Sequence, residues 1–179
     1  MVSKTNILIT GAPGSGKSTL LERVMEKAEQ QELAVGGIST PEFRLSNGRR
    51  GGFLIRDVAT GTEQIMAGVD VASPFRVGRY GVEVQAILEV GVTAIDAAVS
   101  TADLVLIDEI GKMELIVPEF RQSVLAALDS SKPVLGTIGL RLRIPFAEGI
   151  KRRPDLTLLT ITPYNRNQLY TQICTKLEI

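Results

Sequence analysis

The sequence predicts an α/β fold: a mostly parallel sheet with helices on both faces and a β-hairpin-rich insertion at about residues 34–82. Three observations carry this. Short apolar runs alternate with segments whose apolar residues recur at helical spacing. One middle stretch breaks the alternation with closely spaced glycines and turn pairs. The 179 residues suit a single domain, 1–179, with chain enough for a sizeable core and no repeat, low-complexity tract or linker.

The elements follow in order. "TNILITGAP" is an apolar run ending in glycine, the pattern of a buried strand. From Ser18 onward Leu20, Leu21, Val24, Met25 and Ala28 fall on one helical face. Between 34 and 82, "AVGGIST", "GGFLIRDV" and "RVGRYGV" read as strands, and Asn47-Gly48 and Thr60-Gly61 as turns, with at least one hairpin. Residues 83–100 return to helix, with Ile87, Leu88, Val92, Ile95 and Val99 on a shared face. "ADLVLIDE" is a second buried strand, and 118–128 a helix with proline in its first turn. "PVLGTIG", "IPFAEGIKRR", "LTLLTIT" and "NRNQLYTQICTKLEI" then read as strand, short helix, strand and closing helix, with Cys174 a small buried apolar residue on the last.

Composition narrows the function. Twenty basic residues balance twenty acidic ones, so no excess charge calls for a nucleic-acid partner, and no basic amphipathic helix reads as a membrane anchor. A single cysteine forbids an internal disulfide and fits a reducing compartment. No signal-peptide pattern precedes the first strand, and no apolar run approaches bilayer-spanning length. A cytoplasmic protein without a membrane partner is expected, and a protein partner stays open. Histidine is absent, which removes imidazole ligands and bases from consideration.

The chemistry concentrates in two places. Gly11, Ala12, Pro13, Gly14, Ser15, Gly16, Lys17 and Ser18 form "GAPGSGKS", the glycine-x4-glycine-lysine-serine phosphate loop, between a strand and a helix as that pattern requires. The glycines free the backbone so that N–H groups of residues 14 to 18 converge on phosphate oxygens. The helix beginning near Lys17 points its positive end at the same place. Lys17 would bridge the β- and γ-phosphates, Ser18 would offer its hydroxyl to Mg²⁺, and Thr19 would reach the α-phosphate.

The second place is "DEIGKMEL", Asp108 to Leu115, at the end of a buried-looking strand. Mg²⁺ takes oxygen ligands and keeps several waters. Asp108, at the carboxyl end of a strand where open α/β sheets bind ligands, is the carboxylate expected to hold those waters. Glu109 is expected to orient and polarise the attacking water, unless it is only a cap or loop carboxylate. An aspartate-glutamate pair points to the P-loop NTPase subclass with an extra strand between the phosphate-loop strand and the Asp108 strand. "PVLGTIG" is the natural choice, and Thr137 at its end would sense the γ-phosphate or position the water, or be an ordinary strand threonine.

"GAPGSGKSTL", "STPEFR", "RVGRYGV", "DEIGKMEL" and "IKRRPDLTLLTITPYNRNQL", in this order over nearly the whole chain, resemble the small stand-alone nucleoside-triphosphatases, the family that includes the cancer-related nucleoside-triphosphatase. The resemblance implies a RecA-like P-loop fold and hydrolysis of ATP, GTP, CTP, UTP and TTP to the diphosphate with little base selectivity. It maps nucleotide binding onto the phosphate loop and onto the strand carrying Leu104, Val105, Leu106, Ile107, Asp108, Glu109 and Ile110. It also implies that Lys112 belongs to the site. Family members tend to carry a proline after "GTI", where this chain has Gly139, and "LRLRIP" matches poorly.

Other residues are more open. Lys112 either neutralises charge on the γ-phosphate or pairs with Glu114 or Glu109, or is solvated. Glu114 is read as that partner or as a helix-start carboxylate. Arg44 and Arg79 either clamp phosphate or line solvated strand edges. In Lys151-Arg152-Arg153, one arginine senses phosphate or the run complements a helix end. Asn165 contacts the base or caps the last helix, and Arg166 stacks on the base. The expected activity is Mg²⁺-dependent nucleoside-triphosphate hydrolysis. A kinase for a small nucleoside-like acceptor and a nucleotide-switched binding module remain as alternatives.

Overall fold

The computed structural model describes residues 4–179, so the first three residues of the expected 1–179 domain lie outside the described residues. Five parallel strands form one half of a ten-stranded sheet, with β10 at its edge. They run β10 (Leu156–Thr160), β1 (Asn6–Thr10), β9 (Val134–Ile138), β8 (Leu104–Ile110) and β2 (Val35–Ser39). β9 does lie between β1 and β8, with Leu8 opposite Gly136 and Leu106 opposite Leu135. This is the mostly parallel α/β arrangement the strand-helix alternation predicts.

The middle segment departs from the expected boundary. β2 is a core strand, paired in parallel with β8 from Val35↔Leu104 to Ser39↔Asp108, and so does not belong to the insertion. The antiparallel strands β4 (Arg50–Asp57), β5 (Glu63–Gly68), β7 (Tyr80–Val82) and β6 (Arg76–Val77) extend the same sheet, and β3 (Glu42–Arg44) pairs off β4. Glycine misled the reading, because its frequency in "AVGGIST" serves packing. Gly37 has φ 113°, and a β-carbon there would stand 2.0 Å from the Leu106 carbonyl oxygen. Gly36 lets Ala98 of the covering helix approach, since its β-carbon would meet that methyl at 2.9 Å.

Alternation along the strands divides the core in two. Val105 and Ile107 face one cluster with Phe120, Ile95 and Ile150; Leu104 and Leu106 face the other with Leu21, Val24 and Ile173. The helices Pro118–Asp129 and Pro145–Lys151 cover the first face, with prolines at their starts where no N–H is needed. The helices Lys17–Glu29 and Arg166–Leu177 cover the second, and Cys174 is buried there as expected.

The Val84–Thr101 helix belongs to the first face, and its orientation differs from the expected one. Ile87 and Ile95 are buried, but their companions are Val90, Gly91, Ala94 and Ala98, whereas Leu88, Val92 and Val99 lie at the partly buried flank. Small residues win the inner face because the helix lies close to Gly36 and Ile55. Residues Ile87–Val92 take the wider π turn, with Gly91 seated against Ile55 and Phe120. Against expectation, this helix is long and apolar enough to cross a membrane by length and composition. Its inner face is spent on the core, and Glu89 and Asp96 stand on the exposed one.

Candidate active site

The carboxyl ends of β1 and β8, with β9 between them, bring the phosphate loop and the two carboxylates to one edge of the sheet. Gly14 and Gly16 take φ 74° and 98°, values that L side chains rarely adopt. Gly16 precedes the Lys17–Glu29 helix, whose start carries no side-chain cap and no acidic residue in its first turn. The first N–H groups are therefore left to an anion. The Ser15 N–H donates to the Ala12 carbonyl at 3.1 Å, closing the loop. Lys17 folds back over it, its Nζ donating to the carbonyls of Gly11 at 3.0 Å and Ala12 at 3.3 Å. Ser18 and Thr19 are exposed in the first turn, and Ala12, Pro13 and Gly14 form the exposed rim.

The underside of the loop is tightly held. A β-carbon on Gly11 would stand 2.7 Å from Ile161 Cγ2, so the loop lies directly on the end of β10. Arg166 reaches across 151 positions of sequence, its Nε donating to the Ser15 carbonyl at 2.8 Å. The same Nε lies 3.0 Å from where a β-carbon on Gly16 would be. Arg166 is thus a brace on the loop backbone. Asn165 stands at the cap position but makes no cap bond. Its Oδ1 accepts from the Thr162 N–H at 2.7 Å and its Nδ2 donates to the Thr160 carbonyl at 2.9 Å, which fixes the turn preceding the helix.

Asp108 lies near the carboxyl end of β8 and is only 8% exposed. Its Oδ1 accepts the hydroxyl of fully buried Thr137 at 2.5 Å, across the β8–β9 boundary. Thr137 is thus a positioning partner of Asp108. Glu109 follows, half-buried, with its carboxyl pushed upward by burial and then by Asp108, while Lys17 opposes both. That influence of Lys17 sets the two halves of the site within electrostatic reach. A serine hydroxyl and a carboxylate suit a hard cation that takes oxygen ligands and keeps its waters. Among the described residues no cluster of three or more Asp, Glu, Cys or His could hold a metal by itself.

The pairing of Glu114 with Lys112 is overturned, while its place at a helix start holds. Lys112 is exposed, and among the described residues it makes no ion pair or hydrogen bond through its side chain. Glu114 is only 3% exposed, at the start of the short 3₁₀ turn Glu114–Ile116. Burial, and next the nearby Glu109, push its carboxyl up to about 8, against the lowering effect of backbone N–H groups at Glu114 and Gly111. Sequence reasoning missed it because charge neighbours in "GKMEL" read as a solvated turn. The one available signal was its place between the apolar Met113 and Leu115.

The remaining candidates stand elsewhere or play other parts. Arg44 is held by Glu42 and the Gly48 carbonyl, and Arg79 by the Arg50 carbonyl and Tyr80, all within the antiparallel extension. Arg153 pairs with Asp129 and Asp155 beside Asn6, at the amino end of β1, so it faces away from the phosphate loop. Arg152 is exposed and, among the described residues, reaches only Glu148, at 3.9 Å. Leu104, Val105, Leu106, Ile107 and Ile110 pack into the two cores, so within this strand only Asp108 and Glu109 bring side chains to the site edge. Gly139 opens the turn after β9, its N–H directed at the Ile110 carbonyl.

Comparison with known proteins fits this geometry. A family described as NTPase matches residues 6–174. The nucleoside-triphosphatase THEP1 of Thermofilum pendens is 45% identical, over 94% of this chain and 92% of that protein. The THEP1 of Thermotoga sp. strain RQ2 is 41% identical, over 96% and 95%. Among solved structures, THEP1 from Aquifex aeolicus superposes with a TM-score of 0.85 at 34% identity, over 98% of this chain and all of that one. A human cancer-related nucleoside triphosphatase gives 0.80 at 32% identity, over 96% of each chain. These matches favour hydrolysis over the kinase and switch alternatives, and the chain belongs to this nucleoside-triphosphatase family.

Proposed function

We propose that this chain, acting as one unit, hydrolyses nucleoside triphosphates with Mg²⁺, giving diphosphate and phosphate. One observation carries the reading: the phosphate loop and the Asp108-Glu109 pair meet at one sheet edge, with Lys17 close enough to act on Glu109. On substrate binding, Lys17 leaves the Gly11 and Ala12 carbonyls for the β- and γ-phosphate oxygens, and the loop N–H groups take the remaining charge. Ser18 and Asp108 would hold Mg²⁺, which when bound neutralises charge on the β- and γ-oxygens. Thr137 keeps one Asp108 oxygen engaged and leaves the other free. Glu109 removes a proton from water as that water attacks the γ-phosphorus, and the bond to the β–γ bridging oxygen breaks.

ATP, GTP, CTP, UTP and TTP are all proposed substrates. The protein has five Phe, three Tyr and no Trp, so few platforms exist to discriminate bases by stacking. A cytoplasmic setting accords with the single buried thiol.

The test is phosphate release from the five triphosphates, with Mg²⁺ and with EDTA. EDTA should abolish release. Glu109→Gln should lower kcat by about 100-fold or more, and a wild-type rate in that variant sinks the mechanism. Lys112→Ala decides the free ammonium: a large loss of kcat puts it on the γ-phosphate, and an unchanged kcat makes it a solvated loop cation.

A further inference from the structure

Glu114 is a buried acid with no counter-ion, standing beside the residue assigned to water activation. Among the described residues it enters no ion pair. A buried carboxylate without a cation is too costly to persist, and a carboxyl so placed keeps its proton. Its displacement toward about 8 agrees with that. The neutral acid has one O–H to donate.

The geometry gives that O–H one evident acceptor. The chain turns at Gly111, between the two acids. A β-carbon there would stand 2.6 Å from Glu114 Oε2 and 3.0 Å from Glu109 Oε1. The two carboxyl groups therefore occupy the same small space over Gly111, one wholly buried and the other half-buried. Two anions so close would repel strongly, whereas one neutral acid and one carboxylate form a charge-assisted hydrogen bond.

We propose that Glu114 is a positioning residue for water activation: its protonated carboxyl donates to Glu109 Oε1 and fixes that carboxylate so that Oε2 meets the attacking water. Glu114 touches neither substrate nor reacting atoms in this arrangement. It removes the freedom of a glutamate side chain at the step where misplacement by an ångström costs about 100-fold. The inference rests on Glu109 being the base, and Glu109→Gln therefore runs beside every measurement.

The experiment compares wild type, Glu114→Met, Glu114→Gln and Gly111→Ala for kcat, KM, nucleotide affinity by titration with a fluorescent triphosphate analogue, and thermal unfolding. Methionine keeps the volume without a donor; glutamine keeps a neutral donor. Glu114→Met should lose about 100-fold in kcat with nucleotide affinity close to wild type and no loss of Tm. Glu114→Gln should recover most of that loss, to within about fivefold of wild type. Gly111→Ala, whose methyl presses the carboxyls apart, should lose kcat as Glu114→Met does, and it serves if Glu114→Met fails to fold. A purely structural acid would lower Tm and affinity together with kcat.

Turnover in Glu114→Met or Gly111→Ala within threefold of wild type, or glutamine no better than methionine, overturns the proposal. A wild-type rate in Glu109→Gln overturns the base assignment itself. A slow Glu109→Gln beside a fast Glu114→Met overturns only the positioning role.

Discussion

Glu114→Gln removes a buried titratable group and with it a slope of stability against pH. In the unfolded chain this carboxyl titrates near the ordinary value of 4.5, and in the fold near 8. Between those values the folded protein holds a proton that the unfolded chain has released. Stability from this group is fully present below about pH 4.5 and is lost as pH rises toward about 8. Each unit of displacement is worth ~1.4 kcal/mol, so the window is worth roughly 5 kcal/mol, comparable to the whole stability of a marginal domain. Glutamine is neutral throughout and gives up nothing across the window. Urea unfolding of metal-free protein at about pH 5, 7 and 9 measures the difference. The variant should lie within ~1 kcal/mol of wild type at the acid end and gain steadily, becoming more stable by several kcal/mol at the alkaline end. Glu109, also displaced upward, adds a slope of the same sign in both proteins. Parallel stability curves for the two proteins would refute a buried, proton-retaining Glu114.

Other outcomes follow from named contacts. Arg166→Ala unties the Ser15 carbonyl from its brace and should raise KM for every triphosphate about tenfold, worth ~1.4 kcal/mol, with a smaller change in kcat. Thr137→Val leaves a buried Asp108 oxygen without its donor and should destabilise the fold by ~1–3 kcal/mol while lowering kcat. Arg153→Ala breaks bonds to Asp129 and Asp155 at the opposite end of the sheet, so kcat/KM should stay at the wild-type value. Gly37→Ala would force a β-carbon onto the Leu106 carbonyl and should yield a protein that does not fold stably at 37 °C, read by loss of the cooperative melting transition.

How much was legible differs from residue to residue. Leu20, Leu21, Val24 and Ala28 were placed correctly because helical spacing alone decides which of them face the sheet. The face of Val84–Thr101 was misread because hydropathy favours Val and Leu. Close helix-sheet approach, however, rewards Ala and Gly, and the distance of approach is set by Gly36 on another element. The insertion boundary was misread for a related reason, since "AVGGIST" carries turn-like glycines whose purpose is contact with β8 and the covering helix.

The site divides the same way. Gly11 to Ser18 and the neighbouring Asp108-Glu109 pair were readable because their conformations and charges are local. The order of glycines sets the loop's backbone, a helix start supplies the anion field, and a strand end presents the carboxylates. Tertiary structure alone decided that Arg166 braces the loop, that Arg153 faces away from it, that Lys112 is exposed, and that Glu114 is sealed beside Glu109. Sequence spacing fixes what neighbours along the chain can do. It is silent on which distant charges meet and which lose their water, and that depends on strand order and on how closely the elements pack.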